Sequence, residues 1–174
     1  MSHLIPPVDA SDHASGPSSA RIVLVEFGDF QCPYCGAAYP ELKAVKRAMG
    51  DELRFVFRHF PLVQQHPHAL QAAVFAEAAA SEGKFWPMHD ALYEHQNALD
   101  APDLVRYAHR IGLAEATIEA ALRGEFRHKV ERDFESGQRS GVLGTPWIFV
   151  DGQRWEGEVT AEAILSAFRG ASDA

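Results

Sequence analysis

The sequence predicts an α/β fold, a small sheet-and-helix sandwich interrupted by a block of helices. Strand-like runs rich in apolar and β-branched residues occur near residues 22–27, 53–59 and 147–155, while roughly 70 residues between the second and third show only helical periodicity. The order is therefore β-α-β, helices, β-β-α. A helical block without strands argues against a second sheet. A further observation concerns chemistry: Cys32 and Cys35 sit together at the junction of the first strand and the first helix.

Taken in order, residues 1–20 are rich in Ser, Pro, Asp and Ala and read as a flexible tail. Residues 21–27 form a buried strand closed by Gly28-Asp29. Cys32-Pro33-Tyr34-Cys35 opens a helix to about Gly50, with Leu42 and Val45 on its core face. Pro33 suits its first turn and Pro40 is expected to kink it. Residues 53–59 make a second strand: Leu53, Phe55 and Phe57 point one way, and Arg54, Val56 and Arg58 the other. Phe60-Pro61-Leu62 ends it. Helices follow over 69–81, from 85 to about 96, from a cap at Asp100 or Asp103 to Gly112, and over 114–122. Phe126, Val130 and Phe134 then recur every four residues as one apolar stripe. Gly141 to Pro146 breaks the pattern. Residues 147–150 and 153–155 form a hairpin about Asp151-Gly152, and Thr160 caps a last helix with Ile164, Leu165 and Phe168 inward. The expected organisation is a tail (1–20), a discontinuous α/β domain (21–63 and 140–174) and a helical insertion (64–139).

Composition narrows the function classes. At 174 residues, 47% hydrophobic and 23% charged, the chain is long enough and apolar enough to bury a core. The net charge of −8 leaves no basic footprint for nucleic acid and no polybasic membrane anchor. No apolar run approaches the roughly 18 residues of a membrane span. The N-terminal residues lack the basic and apolar regions of a secretory leader. The expectation is a cytoplasmic protein, with a periplasmic or other extracytoplasmic one as the alternative if a leader has been removed.

The cysteine pattern points to redox chemistry. A disulfide-stapled mini-protein needs more cysteines in a shorter chain, and a structural zinc site needs about four ligands. A Cys-x-x-Cys at a helix start places its first cysteine among unpaired N–H groups at the positive end of the helix dipole, which stabilises a thiolate. The second cysteine lies within bonding reach and resolves a mixed disulfide. Stabilising the thiolate also stabilises the reduced form, so the pair becomes a better oxidant. Cys32 is the expected nucleophile and Cys35 the resolving thiol, with Pro33 and Tyr34 tuning Cys32. Two other residues attract notice. Glu26, six residues before Cys32 at the end of a buried strand, is either a proton relay to Cys35 or a solvated strand end. Thr145-Pro146 precedes a strand; most X–Pro bonds in folded proteins are trans, only about 5–6% being cis.

These residues resemble a known family. Glu26-Phe27 followed by Phe30-Gln31-Cys32-Pro33-Tyr34-Cys35 is similar to the active-site strand and helix start of DsbA-like thiol–disulfide oxidoreductases of the thioredoxin superfamily. Phe60-Pro61-Leu62 with His66-Pro67, and Gly83-Lys84-Phe85-Trp86 with Met88-His89-Asp90, resemble that family's helical insertion. Gly141-Val142-Leu143-Gly144-Thr145-Pro146 resembles its cis-proline loop. The likeness covers roughly residues 21–169. It implies a thioredoxin-like fold, a cis Thr145–Pro146 bond packed on the Cys pair, a Thr145 backbone that pairs with an extended substrate, and Glu26 as the buried acid beside the pair. The chain departs from the family in its Pro-Tyr dipeptide, since the best-known periplasmic oxidants carry Pro-His.

The expected activity is disulfide exchange with protein or peptide substrates and a separate redox partner, without a cofactor beyond the Cys pair. Two alternatives stay open: a glutathione-dependent reductase or isomerase of the same fold, with glutathione as co-substrate, and a Cys/His metal-binding module. Phe30 and Tyr34 flank the motif and are expected to be exposed for substrate; Trp86 and Trp147 are expected in the core. No metal ligand set is expected. His89 and His95 share a helix six residues apart rather than four, and His66 and His68 straddle Pro67, so these read as solvated or capping residues.

Overall fold

The computed structural model describes residues 2–170. Five strands form one sheet in the order β1-β3-β2-β4-β5: β1 (His13–Ser15), β2 (Ile22–Gly28), β3 (Leu53–His59), β4 (Trp147–Val150) and β5 (Gln153–Arg154). β2 and β3 are parallel, with Glu26 opposite Phe57, and every other pairing is antiparallel. The parallel pair needs a crossover, which α1 (Pro33–Met49) supplies. Pro40 stays inside that helix without ending it.

Between β3 and β4 the chain is helical throughout: α2 (Ala69–Ser81), α3 (Phe85–Glu94), α4 (Ala101–Arg110), α5 (Glu115–Leu122) and α6 (Arg127–Arg139). Of the two candidate caps for α4, Asp100 is the one, its side chain accepting from Asp103 N at 3.1 Å. The closing helix, α7 (Ala161–Gly170), buries Ile164 and Phe168.

The sheet has two apolar faces because β2 and β3 are buried on both sides. Leu24, Phe55 and Phe57 pack in a core with Leu42 of α1, Phe75 of α2, Met88 of α3 and Ile164 of α7. Val25, Phe27, Val56 and Phe149 form a second core, and here the expected tail needs correction. Leu4 is 7% exposed and belongs to this second core, with Val8 packed against it. β1 pairs with β3, and the buried Arg58 guanidinium donates to both carboxylate oxygens of Asp12 (2.8 and 2.9 Å) and to the carbonyls of Pro6 and Pro7 (3.0 and 3.2 Å). Residues 2–20 hold few apolar side chains, but they cover an apolar sheet face and satisfy a buried cation. Both leave too high a cost to remain undone.

α6 differs from its expected stripe. Val130 is buried while Phe126 and Phe134 are half-buried. Asp133, Ser136 and Ser140 are buried instead, because each serves a polar partner: Asp133 accepts from His59 N (3.1 Å), Ser136 from Arg58 (2.9 Å) and Ser140 from Ile5 N (2.8 Å).

Candidate functional site

The site forms where β2 ends and α1 begins. Cys32 is the N-cap residue, extended at φ −67° and ψ 122°, and has no side-chain cap; Pro33 follows at the first helical position. The turn that presents Cys32 is held by Asp29, which is 1% exposed. One Asp29 oxygen accepts from the N–H groups of Gln31 (2.8 Å) and Cys32 (3.2 Å). The other accepts from Leu62 N (2.8 Å) and lies 2.7 Å from His66 Nδ1. The insertion adds a second clamp: Gln96 Nε2 donates to the carbonyls of Phe30 (2.8 Å) and Cys32 (2.9 Å). Neither Asp29 nor Gln96 was among the expected site residues. The Gly28-Asp29 strand end was a local signal for the first; Gln96 is 64 residues from its partner and left none.

Cys32 and Cys35 are free thiols. The Cys32 thiol is pushed down to about 5, chiefly by a hydrogen bond from Cys35, helped by Thr145 and by the backbone N–H groups of Tyr34 and Cys35, with burial opposing. Cys35, 0% exposed, is pushed well above the ordinary thiol value, first by burial, then by its bond to Cys32 and the charge of Glu26. The pair is thus polarised: one sulfur is a thiolate at neutral pH and the other holds its proton.

The loop before β4 closes the site. Thr145–Pro146 is cis, and the Cys32 thiol lies 3.4 Å from the Thr145 carbonyl oxygen. Glu26 lies on the α1 side of β2, 2% exposed, with one carboxylate oxygen lacking any hydrogen-bond partner. Burial pushes its carboxyl up to about 8, opposed by Lys46. The carboxyl is therefore mostly neutral at pH 7. A cavity of about 40 Å³, lined by Glu26, Lys46, His89 and Asp90 among others, adjoins it and is roughly the size one water needs. Of the two readings for Glu26, the solvated strand end is excluded by this burial.

The expected surface aromatics separate. Tyr34 is 74% exposed beside the Cys pair, and Leu143 of the Thr145 loop is 86% exposed. Phe30 corrects its expected place at a substrate surface: it is 1% exposed. Its ring stacks on Phe57 (5.2 Å) and packs against Tyr93 (5.0 Å), filling the space between β3 and α3. Trp86 and Trp147 are half-buried, with Trp86 Nε1 donating to Ala14 O at 3.3 Å. The histidines weighed from spacing do not meet. His66 sits on Asp29, His89 on Asp90, and His95 on the Ala91 carbonyl.

Comparison with known proteins agrees with this geometry. The thioredoxin family model matches residues 9–168. The Na+/H+ antiporter NhaA 3 of Salinispora tropica is 43% identical over 97% of this chain, which spans 26% of that protein; an antiporter NhaA of Herminiimonas arsenicoxydans is 41% identical over 95% of this chain and 27% of its own length. The chain thus spans about a quarter of these curated relatives. A thioredoxin-like oxidoreductase from Silicibacter pomeroyi superposes with a TM-score of 0.82 at 26% identity, covering 95% of both chains. BdbD from Bacillus subtilis superposes with a TM-score of 0.80 at 21% identity, covering 94% of both. The thiol-disulfide exchange protein α-DsbA2 of Wolbachia pipientis gives 0.76 at 19%, covering 95% of this chain and 87% of its own.

These relatives overturn the expected cytoplasmic setting, which conflicts with a DsbA-type family whose members typically work outside the cytoplasm. That expectation rested on the N-terminal residues of a chain that covers a quarter of its antiporter relatives, and those residues are part of the fold. With its matching domain and its Cys pair at a strand-to-helix turn, the chain belongs to the thioredoxin family and shares the fold of solved DsbA-type thiol-disulfide exchange proteins.

Proposed function

We propose that the chain exchanges disulfides with protein or peptide substrates through the Cys32-Pro33-Tyr34-Cys35 motif, and that its favoured direction is oxidation of substrate thiols. The observation that carries this is the polarised pair: Cys32 lowered to about 5 beside a Cys35 raised well above its ordinary value. A stabilised thiolate is a good leaving group and a stabilised reduced form, and both favour giving the disulfide away.

In that direction a substrate thiolate attacks Cys32 Sγ of the Cys32–Cys35 disulfide. The S–S bond breaks, Cys35 leaves as a thiolate and takes up a proton, and a mixed disulfide links substrate to Cys32. A second substrate thiolate then attacks the substrate sulfur of that bond. Cys32 leaves as a stable thiolate, the substrate gains a disulfide, and two electrons have moved to the Cys pair. Reduction of a substrate runs the same steps backwards. Glu26 is the group that exchanges a proton with Cys35, since it is buried on the same side of β2 and its carboxyl, at about 8, titrates near neutrality. Tyr34 and Leu143 offer exposed apolar contact on either flank of Cys32, and the Thr145 backbone is the edge on which an extended substrate pairs.

The reading is tested by trapping. Incubated with a disulfide-bonded peptide, the reduced Cys35→Ala protein accumulates a mixed disulfide on Cys32, whereas Cys32→Ala forms none. Equal trapping by both variants, or none by either, overturns the assignment of nucleophile and resolving thiol.

A further inference from the structure

Away from the Cys pair, three ligand-type side chains from three elements meet at one point. His13 lies opposite Phe57 in the β1–β3 ladder, so His59, two residues further along, is diagonal to it on the same sheet face. α2 packs against the core on that face and contributes Glu77. The Nε2 atoms of His13 and His59 each lie 2.6 Å from Glu77 Oε1, and the three ligand atoms fall within 4.8 Å of one another. Both imidazole rings are oriented by aromatic neighbours. The His13 ring stacks on Phe85 at 3.7 Å and 12°, and His59 meets Phe57 at 5.4 Å and 83°. The paired carboxylate and guanidinium of Asp12 and Arg58, each next in sequence to one histidine, tie β1 to β3. His59 and Glu77 are buried, while His13 is half-buried and leaves one side of the cluster toward solvent.

We propose that His13, His59 and Glu77 form a binding site for a divalent transition metal of the zinc class. Two imidazole nitrogens and one carboxylate oxygen suit zinc, cobalt(II), nickel(II) or copper(II); magnesium and calcium require mostly oxygen. Three protein ligands with a position left for water is a known zinc arrangement. A tetrahedral ion with bonds of about 2.0–2.1 Å sets its ligand atoms roughly 3.4 Å apart, so each imidazole must retreat from Glu77 by less than about 1 Å. His13 stands on an edge strand of three residues, where such a shift meets least resistance. Without an ion, both imidazoles must donate to a single carboxylate oxygen; with one, each binds through Nε2 as the Nδ1–H tautomer. The ion would fasten the N-terminal strand to the helical insertion, one aromatic layer behind the Cys pair, where the His59 and Phe30 rings are 6.0 Å apart.

The test uses the full chain with Cys32 and Cys35 oxidised, which removes the thiols as competing ligands, after treatment with a chelator. Zn2+ is added in a calorimeter and Co2+ in a spectrophotometer. The expected result is one Zn2+ per chain, a Co2+ d–d band displaced by Zn2+, and a higher Tm with zinc. His13→Ala and Glu77→Gln should each weaken Zn2+ binding by about tenfold or more, and His13→Cys should restore part of it. Because His13 is half-buried on an edge strand, His13→Ala is expected to keep the far-UV circular dichroism of the parent. Absence of uptake, or uptake that His13→Ala and Glu77→Gln both retain, overturns the proposal and leaves the three residues as a hydrogen-bonded bolt. The site does not depend on the exchange reading: a chain with both cysteines replaced by alanine should bind zinc as the oxidised parent does.

Discussion

The side-chain amide of Gln96 holds the carbonyl of Cys32 at 2.9 Å, so a residue of the helical insertion fixes the turn that presents the reactive sulfur. The same side chain lies over position 36: a Cβ on Gly36 would lie 1.9 Å from Gln96 Oε1, so a larger residue there must displace the Gln96 amide from its two carbonyls. Alanine for glycine inside a helix ordinarily adds about 0.5–1 kcal/mol of stability. Here Gly36→Ala should instead destabilise by roughly 1–3 kcal/mol, as Gln96→Ala should, because both strip the Phe30 carbonyl of its donor. Urea denaturation of the two single variants and the double variant checks this. The effects should fall well short of additive, since each change removes the same clamp.

Glu26 makes stability depend on pH in a direction opposite to that of most carboxylates. Its folded value, about 8, lies above the ordinary 4.5, so the folded state binds the extra proton between those values. Stability attributable to this group is therefore full below about pH 4.5 and falls as the pH rises to about 8. Glu26→Gln should match the parent near pH 4.5 and exceed it progressively, by on the order of 4 kcal/mol at pH 9. The same variant should flatten the pH dependence of mixed-disulfide resolution by Cys35 between pH 6 and 9. Denaturation midpoints and stopped-flow rates across this range test both statements.

The Asp12–Arg58 pair predicts that residues 2–20 belong to the folding unit. Asp12→Ala leaves a buried guanidinium without its carboxylate and should cost about 3–5 kcal/mol. Deleting residues 2–20 also uncovers Val25, Val56 and Phe149, and should leave a chain that binds hydrophobic dyes and unfolds without a cooperative transition. Thermal melts of the two variants give the comparison.

The largest single stabilisation of the Cys32 thiolate comes from Cys35. Absorbance at 240 nm should titrate with a midpoint at about 5 in the reduced protein. Removing the donating thiol with Cys35→Ala withdraws a hydrogen bond from the charged form, so the midpoint should rise by about one unit or more.

Much of this site was legible because its signals are local. A strand followed by Cys-x-x-Cys and a first-turn proline places the nucleophile at a helix start from residues within a few positions of one another. The strand over Leu53–His59 and the helix over Ala69–Ser81 follow likewise from alternation and from an alanine-rich run. What escaped was set by contacts distant in sequence. His13, Ala14 and Ser15 carry no strand signal; they form β1 because the exposed edge of β3 offers them a ladder and Arg58 needs Asp12. Phe30 looks like a surface aromatic beside a reactive motif until Phe57 and Tyr93, 27 and 63 residues on, close over it. The Glu26 position was ambiguous by spacing alone, because six residues of separation do not say whether a strand end is dry.

The most direct test of the account is the reduction potential of the Cys32–Cys35 pair, measured by equilibration in glutathione buffers with mass tagging of free thiols. A stabilised Cys32 thiolate predicts a two-electron couple more oxidising than about −200 mV, on the side of DsbA-type oxidants. A potential at or below about −270 mV, where thioredoxin reductants lie, would contradict the proposed direction. No two-electron couple at all would contradict the exchange chemistry itself.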